Sequence, residues 1–202
     1  MNDDEILRGT FVDLRPLVPA DAAMTLGWRL GARARLLNSG AVDVEQQARW
    51  IATRPANEDN YVIQLKDGRD VGMLSLVGID TVNKHAEPAR FLLGEEVAVR
   101  GIPAAVEAMK LLYEHAFGTL DLIRLHGMIA GGNARMLKWQ KYLGMREEGC
   151  MRSHYFIDGV FRDAIIVGLL KEEYLTISRP RMNALIAMAA QGAGIAGTEI
   201  KE

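Results

Sequence analysis

Two Asp-Gly dipeptides, Asp67-Gly68 and Asp158-Gly159, each sit between two apolar, β-rich runs. Asp and Gly tolerate the left-handed backbone of a tight turn, so each dipeptide predicts a hairpin. The first joins residues 61–65 to 71–79, and the second joins 145–157 to 160–170. Antiparallel pairing is therefore expected at two widely separated places. Between them the pattern changes. Residues 90–93 read as a strand ended by Gly94, and Arg100-Gly101-Ile102-Pro103 opens a helix to Phe117. Ala105, Ala108, Met109, Leu112 and Ala116 recur there at helical spacing, with Glu107, Lys110 and Glu114 as a polar stripe. A buried strand is expected over 122–130. Gly131-Gly132-Asn133 breaks it, and Asn133 caps a helix over 134–143 that Gly144 ends.

Ahead of the first hairpin come a strand over 9–16, a helix to about residue 35, and a helix over 44–54 capped by Asp43. The order predicts an α/β (α+β) fold: a mixed central sheet of about seven strands, antiparallel at both ends, with four main helices. A chain of 202 residues fits one main domain, taken as 1–171. The tail, 172–202, reads as an appendage with a short helix over 182–190.

Charge narrows the function. Lys and Arg total 24 against 26 Asp and Glu. That balance lacks the basic surplus of a phosphate-backbone binder, so nucleic acid is not an expected partner. Cys150 stands alone, the four histidines are scattered, and no phosphate-loop or His-Glu-x-x-His pattern occurs, so no metal is expected. The acidic start and the lack of a run of about 20 apolar residues predict a cytoplasmic chain without a membrane partner.

Residues 14–21 with Trp28-Arg29, then 99–109, 131–152 and 158–174, follow one another in an order and spacing that resemble the GCN5-related N-acetyltransferases (GNAT superfamily). The likeness covers about residues 10–171 and is greatest to the RimJ/RimL-type branch that acts on ribosomal-protein N-termini. The resemblance implies the GNAT fold and an acyltransferase that moves an acetyl group from acetyl-CoA to a primary amine, by direct transfer in a ternary complex. In such a family, Leu93, Arg100, Gly101, Ile102, Ala104 and Ala105 correspond to the cofactor loop and the helix start after it. A helix N-terminus offers backbone N–H donors and a favourable dipole to a pyrophosphate. Asn133 matches the family residue that touches the pantetheine arm, with Arg135 and Met136 beside it. Glu87 matches the base that takes the amine proton. Trp28, Arg29 and Tyr155 fall on elements that face the acceptor, and homodimers are common among similar enzymes.

The chain departs from the family pattern at two positions. Pro103 stands where the loop carries Gly, which removes one donor from the cradle. Gln140 stands where many relatives have a proton-donating Tyr; Tyr142 lies about 200° around that helix. For each residue a purely structural role stays open: Asn133 as a helix cap, Glu87 as a solvated strand residue, Cys150 as a small strand residue. The acceptor is open between a small molecule and a peptide. The hairpin around Asp158-Gly159 also resembles spermidine acetyltransferases, yet the first two helices carry only Asp21, Asp43 and Glu45 for a polycation. Two alternatives remain: a catalytically impaired acyl-CoA-binding or interaction protein, and an enzyme using a different acyl donor. A carboxylate or His within water reach of the thioester carbon discriminates an enzyme from a binding module.

Overall fold

A computed structural model describes residues 6–37 and 40–196. Both hairpins form. Asp158 and Gly159 both take positive φ, 53° and 76°, in the turn between β7 (Arg146–Ile157) and β8 (Val160–Leu170). Lys66 to Arg69 joins β3 (Asp59–Leu65) to β4 (Asp70–Asp80), with Gly68 at φ 89°. The sheet has eight strands rather than about seven, in the order β1-β2-β3-β4-β5-β6-β8-β7. The extra strand is the two-residue β1 (Leu7–Arg8), paired with β2 (Val12–Pro16); a strand so short leaves no periodic signal in sequence. Neighbours are antiparallel except β5 (His85–Leu93) and β6 (Arg124–Ala130), which run parallel. β5 begins five residues earlier than the sequence suggests, because Pro88 and Glu87 obscure its pattern.

Alternation along the strands separates two apolar layers. Tyr61, Ile63 and Leu65 of β3 and Leu74 and Leu76 of β4 join α3 (Ala104–Glu114) in one core, through Ala108, Met109 and Leu112. Val62 and Met73 point the other way, onto α1 (Ala22–Leu30) and α2 (Val44–Ala52), with Leu17, Trp28 and Ile51. α1 stops at Leu30, before Gly31, short of the expected residue 35. Its start is tied down by a buried network. Arg15 of β2 donates to both oxygens of Asp21, at 2.8 and 2.9 Å, and to both of Asp70, at 2.7 and 3.1 Å.

Glu107 departs from the expected polar stripe. It is 4% exposed, and its carboxylate accepts the backbone N–H groups of Thr10, Phe11 and Val12 at 2.6 to 2.8 Å. One side chain of α3 thereby satisfies three donors of the turn between β1 and β2. The tail also differs from an appendage. α5 (Lys171–Glu173) passes through a π turn (Tyr174–Ser178) into α6 (Arg179–Ala196). Tyr174 stacks on Phe117 at 5.1 Å between centroids, and Met182 is wholly buried in the α3 core. The covalent end of β8 therefore is not the end of the packed unit. Among the described residues no helix is long and apolar enough to cross a membrane.

Glu107→Ala leaves the N–H groups of Thr10, Phe11 and Val12 without their charged acceptor, that of Val12 in a buried place, at about 3 kcal/mol of stability. Met182→Ala opens a cavity in the same core, at about 2–5 kcal/mol. Urea unfolding followed by circular dichroism checks both, and a change under about 1 kcal/mol in either would contradict the packing described.

Candidate active site

The parallel pairing of β5 with β6 lasts for two residue pairs, His85 with Arg124 and Ala86 with Leu125. Pro88 has no N–H to donate to a ladder. The positive φ of Arg90, 56°, adds a bulge where Ala89 pairs with Ser75 and Leu92 with Met73. Beyond Ala86 the two strands therefore part, and the sheet opens into a V. Two cavities occupy the opening. One, of about 650 Å³, lies toward α1 and α2; the other, of about 560 Å³, lies toward α4 (Ala134–Tyr142) and the start of α3. Leu36, Leu37, Phe91, Asn133 and Met136 line both, so the cavities adjoin.

Glu87 is the first β5 residue past the parallel pairing, and it lines the larger cavity. Burial pushes its carboxyl above the usual carboxylate range; the backbone N–H of Met128 and the Arg90 guanidinium pull it part of the way back. A Cβ on Gly127 would stand 4.0 Å from Glu87 Oε1, so the carboxylate reaches across to β6 at a position without a side chain. Tyr155 of β7 lines the same cavity, and its hydroxyl is shifted upward by burial and by Glu87. Gln140 is also in this wall, buried, with its carbonyl accepting from the Tyr113 hydroxyl at 3.2 Å.

The smaller cavity has cations of its own. Arg33, Arg135 and Lys138 line it, with Leu93, Ala105, Trp139 and Tyr142. Arg33 also pairs with Glu96. The N-cap of α3 is Pro103, with no side-chain cap, so the first-turn N–H groups beside Ala105 keep their donor capacity for a ligand. These features fit a coenzyme A pyrophosphate: cations, an uncapped helix start, and an open seam between strands. Asn133 caps α4 by accepting the Met136 N–H at 3.2 Å, which leaves its amide NH2 for a ligand.

The expected residues separate into three groups. Glu87, Arg29, Tyr155, Leu93, Ala105, Asn133, Arg135 and Met136 all line one cavity or both. Arg100, Gly101, Ile102 and Ala104 do not. Arg100 is exposed, Gly101 holds a turn at φ 78°, Ile102 packs on the core and Ala104 is wholly buried. Trp28 needs correction as an acceptor-facing residue. It is 8% exposed, and its indole N–H donates to Glu95 at 2.9 Å. A Cβ on Gly94 would come within 2.1 Å of its ring. Trp28 thus pins the loop after β5. Cys150 is exposed on edge strand β7, away from both cavities. Sequence reasoning did not single out Arg90, Trp50, Arg33 or Lys138 for the site. Arg90 lies three residues past Glu87, the one signal that pointed to it.

Residues 12–146 match the family model of the acetyltransferase (GNAT) domain. Spermidine N(1)-acetyltransferase of Escherichia coli (strain K12) is 27% identical over 135 residues, 67% of this chain and 70% of that protein. YdaF of Bacillus subtilis (strain 168) is 34% identical over 110 residues, 54% of this chain and 58% of that protein. A GCN5-related N-acetyltransferase from Brucella melitensis shares the fold at a TM-score of 0.74 and 21% identity, over 88% of this chain and 84% of that one.

A carboxyl raised by burial destabilises the fold once ionised, so this contribution to stability falls as pH rises through the shifted value. Glu87→Gln removes that penalty. Scanning fluorimetry is expected to give a higher Tm than the parent at neutral pH, with the gain fading as pH falls below the ordinary Glu range. Equal Tm values at neutral pH would contradict a desolvated Glu87.

Proposed function

This chain belongs to the GNAT acetyltransferase family and is an N-acetyltransferase; on that premise we propose that Glu87 is its general base and that the two adjoining cavities take acetyl-CoA and a small-molecule primary amine. The observation that carries the reading is Glu87 itself, a half-buried carboxyl with a raised pKa at the point where β5 leaves β6. A cavity lined by apolar side chains alone would have favoured a binding module.

Acetyl-CoA bound in the seam supplies a thioester carbonyl to the amine and a sulfur that departs. The chain's own residues divide the remaining work. Arg33, Arg135 and Lys138 meet phosphate charge, and the N-terminus of α3 adds backbone donors with its dipole. Pro103 takes one donor from this set and leaves the cations and first-turn N–H groups in place. Asn133 turns its amide toward the pantetheine arm. An ammonium acceptor must lose a proton before it attacks, and Glu87 accepts that proton directly or through one water. Its raised pKa makes it a stronger base than an exposed Glu. Gln140 has no proton to give, so the sulfur departs as a thiolate, tolerable for a thiol of pKa about 8.5.

An acceptor cavity of about 650 Å³ suits a small ligand. The likeness to the RimJ/RimL-type branch rests on the residues quoted above and keeps a peptide N-terminus as the second acceptor class. The family likeness is what supports reading the chain as cytoplasmic and as a homodimer.

Titration calorimetry with acetyl-CoA and with free coenzyme A is expected to give micromolar binding of both; binding of neither overturns the donor. Glu87→Gln is expected to lower kcat/KM by about 10²- to 10⁴-fold, with coenzyme A affinity within about twofold of the parent. In the parent, kcat/KM is expected to rise with pH through a value above the ordinary Glu range. Parent-like turnover by the Gln variant would remove Glu87 from the chemistry.

A further inference from the structure

Among the described residues, the charged side chains lining the acceptor cavity are those of Glu87, Arg29 and Arg90. The two cations come from different elements, Arg29 from the last turn of α1 and Arg90 from the β5 bulge. Arg90 is held from behind. It donates to both oxygens of Glu58, at 2.8 and 3.1 Å, and to Asn60 Oδ1 at 3.1 Å, while lying 5.1 Å over the Trp50 ring. Its orientation is thereby fixed and its charge balanced outside the cavity.

Arg29 is placed differently. Its guanidinium approaches the wall at Gly40, where a Cβ would stand 3.1 Å from Nη2. Burial and the neighbouring Arg90 both disfavour its charged form. A desolvated guanidinium beside a second one gains most from an added anion. With five N–H donors, it can keep a protein contact and still bind a ligand.

The acidic residues of the first two helices lie elsewhere. Asp21 is held by Arg15, Asp43 caps α2 by accepting the Gln46 N–H, and Glu45 pairs with Arg49 on the surface. None of them lines the cavity. A polyamine would set its second ammonium near arginines.

We propose that the acceptor is a small amine that also carries an anion, a carboxylate or a phosphate, with the anion on Arg29 and the amine toward Glu87. The proposal rests on the reading of this cavity as the acceptor site. It makes Arg29 a specificity-determining residue for the reaction.

The test compares matched amines as acceptors with acetyl-CoA. β-Alanine and γ-aminobutyrate are set against propylamine, butylamine and putrescine, and phosphoethanolamine against ethanolamine. The expected result is kcat/KM at least about 10-fold higher for an anionic amine than for its neutral match or the diamine. The carboxylate and phosphate arms tell which anion the site prefers. Arg29→Gln is expected to bring the ratio to about one, and Arg29→Lys to leave it intermediate, because Lys keeps charge without the planar fork. Coenzyme A titration of each variant shows that it is folded.

Binding is measured separately, by titrating the same amines into coenzyme A-saturated protein. Anionic amines that bind no better than their neutral matches overturn the proposal, whether or not turnover is seen. So does a Gln variant that weakens anionic and neutral amines equally. If the anion preference holds while Glu87→Gln turns over like the parent, the base assignment fails and the acceptor class stands.

Discussion

The parting of β5 from β6 after Ala86 is the constraint on which the rest of the site depends. A continuous ladder would close the sheet and leave no room for a ligand between strands. The chain prevents closure with two local devices, a proline at 88 and a bulge with Arg90 in the left-handed region. The same devices supply chemistry. Glu87 lies at the apex of the opening, and the bulge brings Arg90 to the cavity wall, where Trp50 lies beneath it and Glu58 holds it from behind.

An opened sheet needs its margins held, and buried polar contacts do so. Glu107 fastens α3 to the turn after β1, and the Arg15 network fastens the start of α1 to β2 and β4. The Trp28–Glu95 bond fixes the loop that leads from β5 toward α3. Each replaces water around a charged or polar group with matched partners, so the helices that frame the cavities cannot drift. The cost of the arrangement falls on Glu87, whose carboxyl is kept where ionisation is disfavoured. A base at the same place with full solvation would be more comfortable and weaker.

Much of the fold was legible in the residues. The Asp-Gly turns gave the hairpins, Asp43 and Asn133 gave two helix starts, and the spacing of Ala108, Met109 and Leu112 gave the buried face of α3. The misreadings share a cause. Glu107 reads as a surface residue by type, and only the distant Thr10 to Val12 backbone makes it a buried acceptor. Tyr174 and Met182 read as part of a tail, because the core they complete is built from segments far away in sequence. Trp28 follows the same logic: its partner, Glu95, lies 67 residues on.

The sequence alone determined most of the strands and helices, the family, and candidates for the base and for the cofactor-side Asn. Those are properties of local pattern, because turn chemistry, capping and periodicity act over a few residues. Tertiary structure decided which candidates share a cavity. It brought Arg29 from α1 and Arg90 from β5 to one wall, gathered Arg33, Arg135 and Lys138 in the other, and left Trp28 and Arg100 outside both. Charge, burial and reach depend on neighbours in space. A side chain's chemistry at the site is therefore fixed only when the sheet opens and the helices close around it.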